Sequence, residues 1–179
     1  MAEKKQFDFS EILISREELA KRVEELGAQI SEDYKGEDLF LIGILKGSVP
    51  FMADLMRAIT LDVEMDFMSV SSYGSGTKTS GVVRILKDLD SDIAGKNVLI
   101  VEDIIDSGLT LAYLKEYLAK RGPKSVRIVT MLSKPARRKA DIEADYTGFT
   151  VDDKFIVGYG LDIDQKFRNL PYISWIKED

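Results

Sequence analysis

Apolar positions along this chain follow a helical period in some segments and a strand period in others. Between residues 16 and 31 leucine, valine and isoleucine recur at helical spacing, after a capping box that begins at Ser15. This pattern predicts a helix over residues 16–31. Further helices are predicted over residues 49–59 and from residue 111 to Gly122, where a glycine-proline pair is typical of a helix end.

Short apolar or alternating runs lie between these helices and predict strands. The predicted strands are residues 39–45, 63–67, 82–86, 98–101, 125–132, 155–157 and 173–176. Strands that alternate with helices form βαβ units around a mostly parallel sheet, so the pattern predicts an α/β fold. Residues 71–81 are rich in glycine, serine and threonine and predict a long mobile loop, of a kind that often closes over a site as a lid.

Composition narrows the possible functions. The 179 residues are 45% hydrophobic and 31% charged, as in an ordinary globular domain. A net charge of −6 and a pI of about 4.9 argue against general nucleic-acid binding. No apolar run approaches the roughly 18 residues of a membrane span, and residues 1–10 lack the apolar core of a signal peptide. Cysteine is absent, which fits a reducing cytosol, and the absence of histidine leaves acid–base chemistry to Asp, Glu, Lys or Tyr.

The most specific chemistry lies in residues 98–110, Val-Leu-Ile-Val-Glu-Asp-Ile-Ile-Asp-Ser-Gly-Leu-Thr. A strand, a polar turn and a helix in succession can hold a phosphate on backbone N–H groups, although this turn is not a Walker loop. The Asp-Ser-Gly-x-Thr turn taken alone is better explained as a helix N-cap with a turn glycine. Glu102 and Asp103 are harder to explain structurally, because adjacent carboxylates at the end of a buried strand need a cationic partner. They suit a sugar diol and a hydrated divalent metal.

Three candidate segments follow apolar strands: Lys46, the Glu102-Asp103 pair and Lys134. Because ligands bind at the carboxyl ends of parallel strands, one shared pocket is predicted. Each lysine taken alone could be a solvated surface residue, as could Arg168. The basic run at residues 137–139 is interpreted as a solvated face.

The string at residues 98–110 closely resembles the phosphoribosyl-pyrophosphate motif of the type I phosphoribosyltransferases. From about residue 12 to 176 the chain resembles the bacterial hypoxanthine (hypoxanthine-guanine) phosphoribosyltransferases. The resemblance rests on Leu45-Lys46-Gly47, Ser72-Tyr73, residues 98–110, and Lys134 with residues 155–162. It implies a type I phosphoribosyltransferase fold over residues 1–179, as a single domain. A mostly parallel sheet would be flanked by helices, with a small hood built from N- and C-terminal segments.

The resemblance implies purine salvage. The 5-phosphoribosyl group would pass from phosphoribosyl pyrophosphate to N9 of hypoxanthine or guanine, giving IMP or GMP and pyrophosphate. The implied cofactor is Mg²⁺. Glu102 and Asp103 would hold one ion through water, and Asp162 would help to hold a second hydrated ion near the pyrophosphate. Asp106 is the candidate general acid–base, by its position at the phosphate turn and because histidine is absent. A homodimer or homotetramer in the cytoplasm is also implied, with no nucleic-acid or membrane partner.

The motif residues take specific roles under this resemblance. Pyrophosphate would be bound by Lys46, Gly47 and Arg168, with a cis peptide between Leu45 and Lys46. The ribose and its 5′-phosphate would be bound by Glu102, Asp103, Asp106, Ser107, Gly108, Leu109 and Thr110. The purine would be bound by Ile104, Lys134, Phe155, Ile156 and Asp162, and the lid would carry Ser72 and Tyr73. Lys134 would donate to O6 and so select 6-oxopurines over adenine. Some relatives carry Lys where this chain has Leu109, which puts side-chain contact with the 5′-phosphate in doubt there.

Two other functions are also compatible with the sequence, and a third fits it less well. A sister enzyme could act on xanthine, adenine or a pyrimidine. A non-catalytic regulator could use the fold to sense phosphoribosyl pyrophosphate, although such proteins usually carry an added basic module. An aspartyl phosphohydrolase would be expected to have Asp-x-Asp at a strand end. Asp103 and Asp106 are three residues apart and do not match that spacing.

Overall fold

A six-stranded sheet forms the centre of the computed structural model, which describes residues 11–72 and 83–176. In chain order the elements are β1 (Ile12–Ile14), α1 (Arg16–Asp33), β2 (Leu39–Leu45), α2 (Val49–Ala58), β3 (Val63–Ser72), β4 (Val83–Lys87), β5 (Asn97–Ile105), α3 (Leu109–Ala119), β6 (Ser125–Ser133), a 3₁₀ helix (Pro135–Arg137), β7 (Tyr146–Thr150), β8 (Ile156–Val157) and β9 (Ile173–Trp175).

Strand order in the large sheet is β4-β3-β2-β5-β6-β7. Every neighbouring pair is parallel except β3 and β4, which are antiparallel. A second sheet, in the order β1-β9-β8, is antiparallel and joins a strand near the N-terminus to two strands near the C-terminus. The predicted α/β architecture with a mostly parallel sheet is confirmed.

Helices cover both faces of the large sheet. Leu99 and Val101 of β5 pack into a core with α1 and α2, whereas Val98 and Ile100 pack into a second core with α3. Successive side chains of a strand point to opposite faces, so a strand buried on both faces must be apolar at every position. That is why β2 and residues 98–101 of β5 are continuous apolar runs.

Several predicted boundaries are wrong. The predicted loop begins too early, because Ser71 and Ser72 belong to β3 and pair with β4. Serine hydroxyls do not prevent backbone pairing, so polarity alone is a poor sign of a loop. Tyr73 and the rest of the predicted lid lie outside the described residues. Phe155 precedes β8 rather than forming part of it.

Three short elements are absent from the sequence-based prediction: β1, β7 and the 3₁₀ helix. Each is five residues or shorter, so its pattern is too brief to identify a period. In the described part of the chain no helix combines the length and apolarity needed to cross a membrane.

Candidate active site

The candidate site lies where β2 and β5 separate. Their pairing ends at Gly43 and Val101, after which β5 continues to Ile105 bonded to β6. Crevices at the carboxyl ends of parallel strands are the usual ligand sites of such sheets. The crevice here has a volume of about 260 Å³. It is lined by Ile44, Leu45, Gly47, Val70, Glu102, Asp103, Ile104, Ile105, Asp106, Ser107, Gly108, Thr110 and Leu111.

Glu102 and Asp103 stand within β5 rather than after it, which corrects the predicted strand end at residue 101. Burial raises the pKa of both carboxyl groups, and the neighbouring charge of Asp103 raises that of Glu102 further. At Asp103 this is partly offset, since its Oδ1 accepts a hydrogen bond from the Ile104 amide at 2.7 Å and Arg168 lies near enough to favour its charge. The pair therefore favours a ligand that brings positive charge or hydroxyl donors.

A magnesium ion fits this donor set. Mg²⁺ usually binds one or two carboxylates and completes its shell with water and substrate oxygens, rather than sitting in an all-protein cage. Consistent with this, no three metal-ligating side chains converge anywhere among residues 11–72 and 83–176. Asp162, which is predicted to help hold a second ion, forms no three-carboxylate group with Glu102 and Asp103. Its Oδ1 pairs with Arg168 at 2.7 Å, and its Oδ2 accepts the Gln165 amide at 2.8 Å.

The turn from Asp106 to Thr110 leads directly into α3. Gly108 stands at φ +77°, a left-handed conformation that favours glycine, and a Cβ there would lie 2.6 Å from Ile142 Cγ2. The Ser107 carbonyl accepts the amides of Lys139 and Ala140 at 2.9 and 3.1 Å, which anchors the turn from behind. The first amides of α3 are the kind of backbone donors that hold a phosphate.

Asp106 is held by a cation that the sequence did not single out. Its Oδ2 pairs with Arg137 Nη1 at 3.3 Å, while its Oδ1 is buried without a hydrogen-bond partner. Arg137 also approaches Asp153 at 3.5 Å. The ion pairs link the phosphate turn to the segment before β8.

The interpretation of residues 137–139 as a solvated face is wrong for Arg138. Only 11% of its side chain is exposed, and it donates to the carbonyls of Ile105 and Asp106 at 3.1 and 2.7 Å. It also donates to Ser133 Oγ at 2.9 Å. Carbonyls at the end of a strand need donors, and nothing in a local run of basic residues tells which member supplies them.

The turn after β2 brings the predicted pyrophosphate residues together. The Leu45–Lys46 peptide is cis, as the resemblance implied. A Cβ on Gly47 would lie 1.7 Å from Asp103 Oδ2, and one on Gly160 would lie 1.9 Å from the Gly47 carbonyl oxygen. Arg168 donates to the Gly160 carbonyl at 2.7 Å. Thus the segment around Gly160 packs directly against the turn.

Gly160 and Gln165 belong to this site, although the sequence reasoning missed both. Gln165 accepts hydrogen bonds from Lys46 and Arg168. The Gly-Tyr-Gly triplet at residues 158–160 was the available signal, because paired glycines often mark a close approach of two backbones.

A second cavity, of about 350 Å³, adjoins the crevice, because Arg137, which lines it, pairs with Asp106, which lines the crevice. It is lined by Lys134, Arg137, Asp153, Lys154, Phe155, Trp175 and Ile176. Lys134 is only 5% exposed, and burial lowers its pKa. Its Nζ donates to the Lys154 carbonyl at 2.6 Å.

The predicted purine residues do not all meet in this cavity. Lys134 and Phe155 line it, and Phe155 remains 44% exposed. Ile156 is buried in β8. Ile104 instead lines the 260 Å³ crevice, and Asp162 faces Arg168.

Glu102→Gln is expected to stabilise the free protein. The raised pKa of Glu102 means that the folded state keeps its proton when the unfolded state has lost it. Stability from this group is present at acidic pH and declines as pH rises above the unfolded value of about 4.3. The melting temperature of the Gln variant should therefore exceed the wild-type value near neutral pH, and the difference should shrink as pH falls toward the unfolded value.

Thermal unfolding of both proteins from about pH 4 to pH 8 checks this prediction. The advantage of the Gln variant should grow with pH. An advantage that is constant or shrinks with rising pH contradicts the assignment. Glu64→Gln is the control, because it makes the same chemical change at an exposed carboxylate, which pairs with Lys96, rather than at a buried one.

Comparison with known proteins agrees with this architecture. Residues 10–164 match the model of the phosphoribosyl transferase domain family. Over 170 residues the chain is 55% identical to a hypoxanthine-guanine phosphoribosyltransferase of Bacillus subtilis (strain 168), covering 95% of this chain and 94% of the relative. It is also 50% identical over 172 residues to the bifunctional protein TilS/HprT of Listeria monocytogenes (serotype 4b), of which it spans 26%.

Comparison with solved structures agrees with the sequence comparison. A hypoxanthine phosphoribosyltransferase from Staphylococcus aureus superposes with a TM-score of 0.92 at 50% identity, covering 95% of this chain and 92% of that one. A hypoxanthine-guanine phosphoribosyltransferase from Bacillus anthracis gives 0.90 at 48% identity, covering 97% and 100%. With nearly its whole length matched in sequence and in structure, the chain belongs to the phosphoribosyl transferase domain family, within the group of the hypoxanthine-guanine phosphoribosyltransferases.

Proposed function

We propose that the chain transfers the 5-phosphoribosyl group of phosphoribosyl pyrophosphate to N9 of hypoxanthine or guanine, in purine salvage. The observation that carries the proposal is the crevice between β2 and β5. There an acidic pair and a phosphate-binding turn share one cavity, beside a second cavity that contains a buried lysine. Membership of the family supports the same activity.

The donor substrate would lie along the strand ends. Its 5′-phosphate would accept hydrogen bonds from the start of α3 and from Ser107 and Thr110, and its ribose hydroxyls would donate to Glu102 and Asp103. The pyrophosphate would be bound by Lys46, Arg168 and the Gly47 turn. A Mg²⁺ ion held through water and the acidic pair would neutralise charge on the pyrophosphate.

The protein itself would contribute little covalent chemistry to the transfer. The bond from C1′ to the pyrophosphate oxygen breaks with its electron pair leaving on pyrophosphate, while N9 bonds to C1′. As N9 bonds, the purine loses the proton at N7, and Asp106 would accept it. Positioning of the two substrates and stabilisation of the developing charges supply the rest.

Base recognition would depend on the 350 Å³ cavity. Phe155 would stack on the purine ring, and backbone groups of Ile156 would contact its edge. Lys134 would donate to O6. An ammonium has three donors, so one bond to the Lys154 carbonyl leaves two for the base.

Lys134→Met is expected to lower kcat/KM for hypoxanthine by about 10–100-fold, the range of a lost hydrogen bond to a charged group. The preference for hypoxanthine over adenine should fall with it. Steady-state kinetics on both bases measure the change. Lys154→Met is the control, because it removes a cation from the same cavity but keeps the carbonyl that Lys134 uses. An unchanged preference in the Lys134 variant would exclude the assigned role.

An ultraviolet assay tests the function. Phosphoribosyl pyrophosphate and the protein are mixed with hypoxanthine, guanine, xanthine or adenine in parallel, with and without Mg²⁺. Turnover of hypoxanthine and guanine that requires Mg²⁺ supports the proposal, and turnover of xanthine or adenine alone refutes the base assignment. Binding of phosphoribosyl pyrophosphate without any turnover would favour a sensor.

The same proposal includes a cytoplasmic enzyme that assembles as a homodimer or homotetramer, with residues 1–179 as one catalytic domain. Light scattering coupled to size-exclusion chromatography reads the mass directly.

A further inference from the structure

Gln165 lies between the two cationic side chains of the proposed pyrophosphate site. Its Oε1 accepts a hydrogen bond from Lys46 Nζ at 3.1 Å and another from Arg168 Nη2 at 3.2 Å. Its own backbone amide donates to Asp162 Oδ2 at 2.8 Å. The side chain is thereby tied to both cations, and its backbone is tied to the carboxylate that pairs with Arg168.

The shared acceptor oxygen of Gln165 allows two cationic side chains to lie close together. Two positive groups near one another repel, yet a pyrophosphate site needs both of them on the same side. An amide oxygen accepts from both without cancelling either charge. Lys46 gives one of its three donors to Gln165, which leaves two for an incoming anion. The two Nη atoms of Arg168 bond Gly160, Gln165 and Asp162. Because its Nε is buried, one Nη1 donor remains for the anion.

The negative charge around this bridge is already high. Asp162 pairs with Arg168, and the charge of Arg168 also acts on Asp103. A further carboxylate at position 165 would compete with an anionic ligand for the same two cations. A neutral acceptor is therefore the side chain that suits anion binding here.

We propose that Gln165 is a positioning residue that sets the affinity of this site for the pyrophosphate group. Its side-chain amide gathers Lys46 and Arg168 into one anion-binding arrangement before the ligand arrives, so less ordering is needed on binding. The inference rests on the proposed function, because it takes these cations to bind pyrophosphate.

Gln165→Glu and Gln165→Met test the proposal as a pair. Position 165 has φ +65°, and glutamate and methionine are unbranched and close to glutamine in length, so both variants meet similar backbone demands. For the Glu variant, KM for phosphoribosyl pyrophosphate and the inhibition constant of pyrophosphate should each rise about tenfold, since a charge now opposes the anion. The Met variant should show a rise of about threefold from lost positioning alone. For both, KM for hypoxanthine and kcat should change by less than about twofold.

Calorimetric titration of pyrophosphate into each protein, with Mg²⁺ present, gives the same ranking without turnover. A merely structural role predicts the opposite ranking, because glutamate keeps an acceptor for Lys46 and Arg168 whereas methionine does not. If the Glu variant binds pyrophosphate as tightly as the wild type, the inference is overturned. If the wild type has no transferase activity but the calorimetric ranking holds, the proposed function fails and the role of Gln165 stands.

Discussion

Asp106→Asn is expected to lower kcat by about 10²–10⁴-fold, the usual contribution of a positioned acid–base group. An amide keeps the size and most hydrogen-bonding geometry of the carboxyl group, but it cannot accept the proton from N7. KM for phosphoribosyl pyrophosphate should change much less than kcat. Single-turnover kinetics with hypoxanthine measure the chemical step directly.

Asp153→Asn is the matched control for this variant. Asp106 and Asp153 both pair with Arg137, at 3.3 and 3.5 Å, and are similarly exposed. Loss of an ion pair to Arg137 is therefore common to both variants, whereas loss of the proton acceptor is confined to the variant at Asp106. Equal losses in the two variants, or full activity of the Asp106→Asn variant, would exclude Asp106 as the acid–base group.

Gly160→Ala is expected to destabilise the protein by about 2–5 kcal/mol, from an overpacked contact and an unfavourable left-handed residue together. Gly160 has φ +100°, and its new Cβ would lie 1.9 Å from the Gly47 carbonyl oxygen. That neighbour is backbone, so the turn after β2 has to move. Binding of pyrophosphate should weaken strongly in consequence. Urea denaturation and pyrophosphate titration measure the two effects.

Gly36→Ala is the control for this variant, because it separates the steric effect of the new Cβ from the cost of a left-handed backbone conformation. Gly36 has φ +77°, and a Cβ there would meet nothing within 4 Å. It should therefore show only the conformational part, about 1–2 kcal/mol, with pyrophosphate binding intact. Equal destabilisation in the two variants would show that packing of Gly160 on Gly47 contributes little.

The parts of the fold that were predictable are those with strong burial. Residues 39–45 were predicted as a strand and form β2 with the same bounds. The helix predicted at residues 16–31 is confirmed and runs two residues further. In both, apolar spacing is decided by packing against the sheet, so the pattern survives in the sequence. The nearness of the Lys46 turn to the Glu102-Asp103 pair followed from parallel topology alone.

The parts that were not predictable depend on distant partners. Glu102 continues β5 because β6 offers a pairing partner at Thr130, a contact with no local sequence signal. The hydrogen-bond partners of Arg138 and Gln165 are backbone carbonyls and side chains that lie far away in the sequence or across a turn. For such residues type and spacing say only that they are polar.

The two cavities are built by different parts of the chain. The crevice proposed to hold the phosphoribosyl group is formed by β2, β5, the start of α3 and Val70 of β3, whereas the cavity proposed to hold the base is formed by residues after β6 and around β8 and β9. An ion pair from Arg137 of the second cavity to Asp106 of the first joins the two sets. Libraries designed to accept unnatural nucleobases can therefore concentrate on the second set of residues, provided that Arg137 is kept.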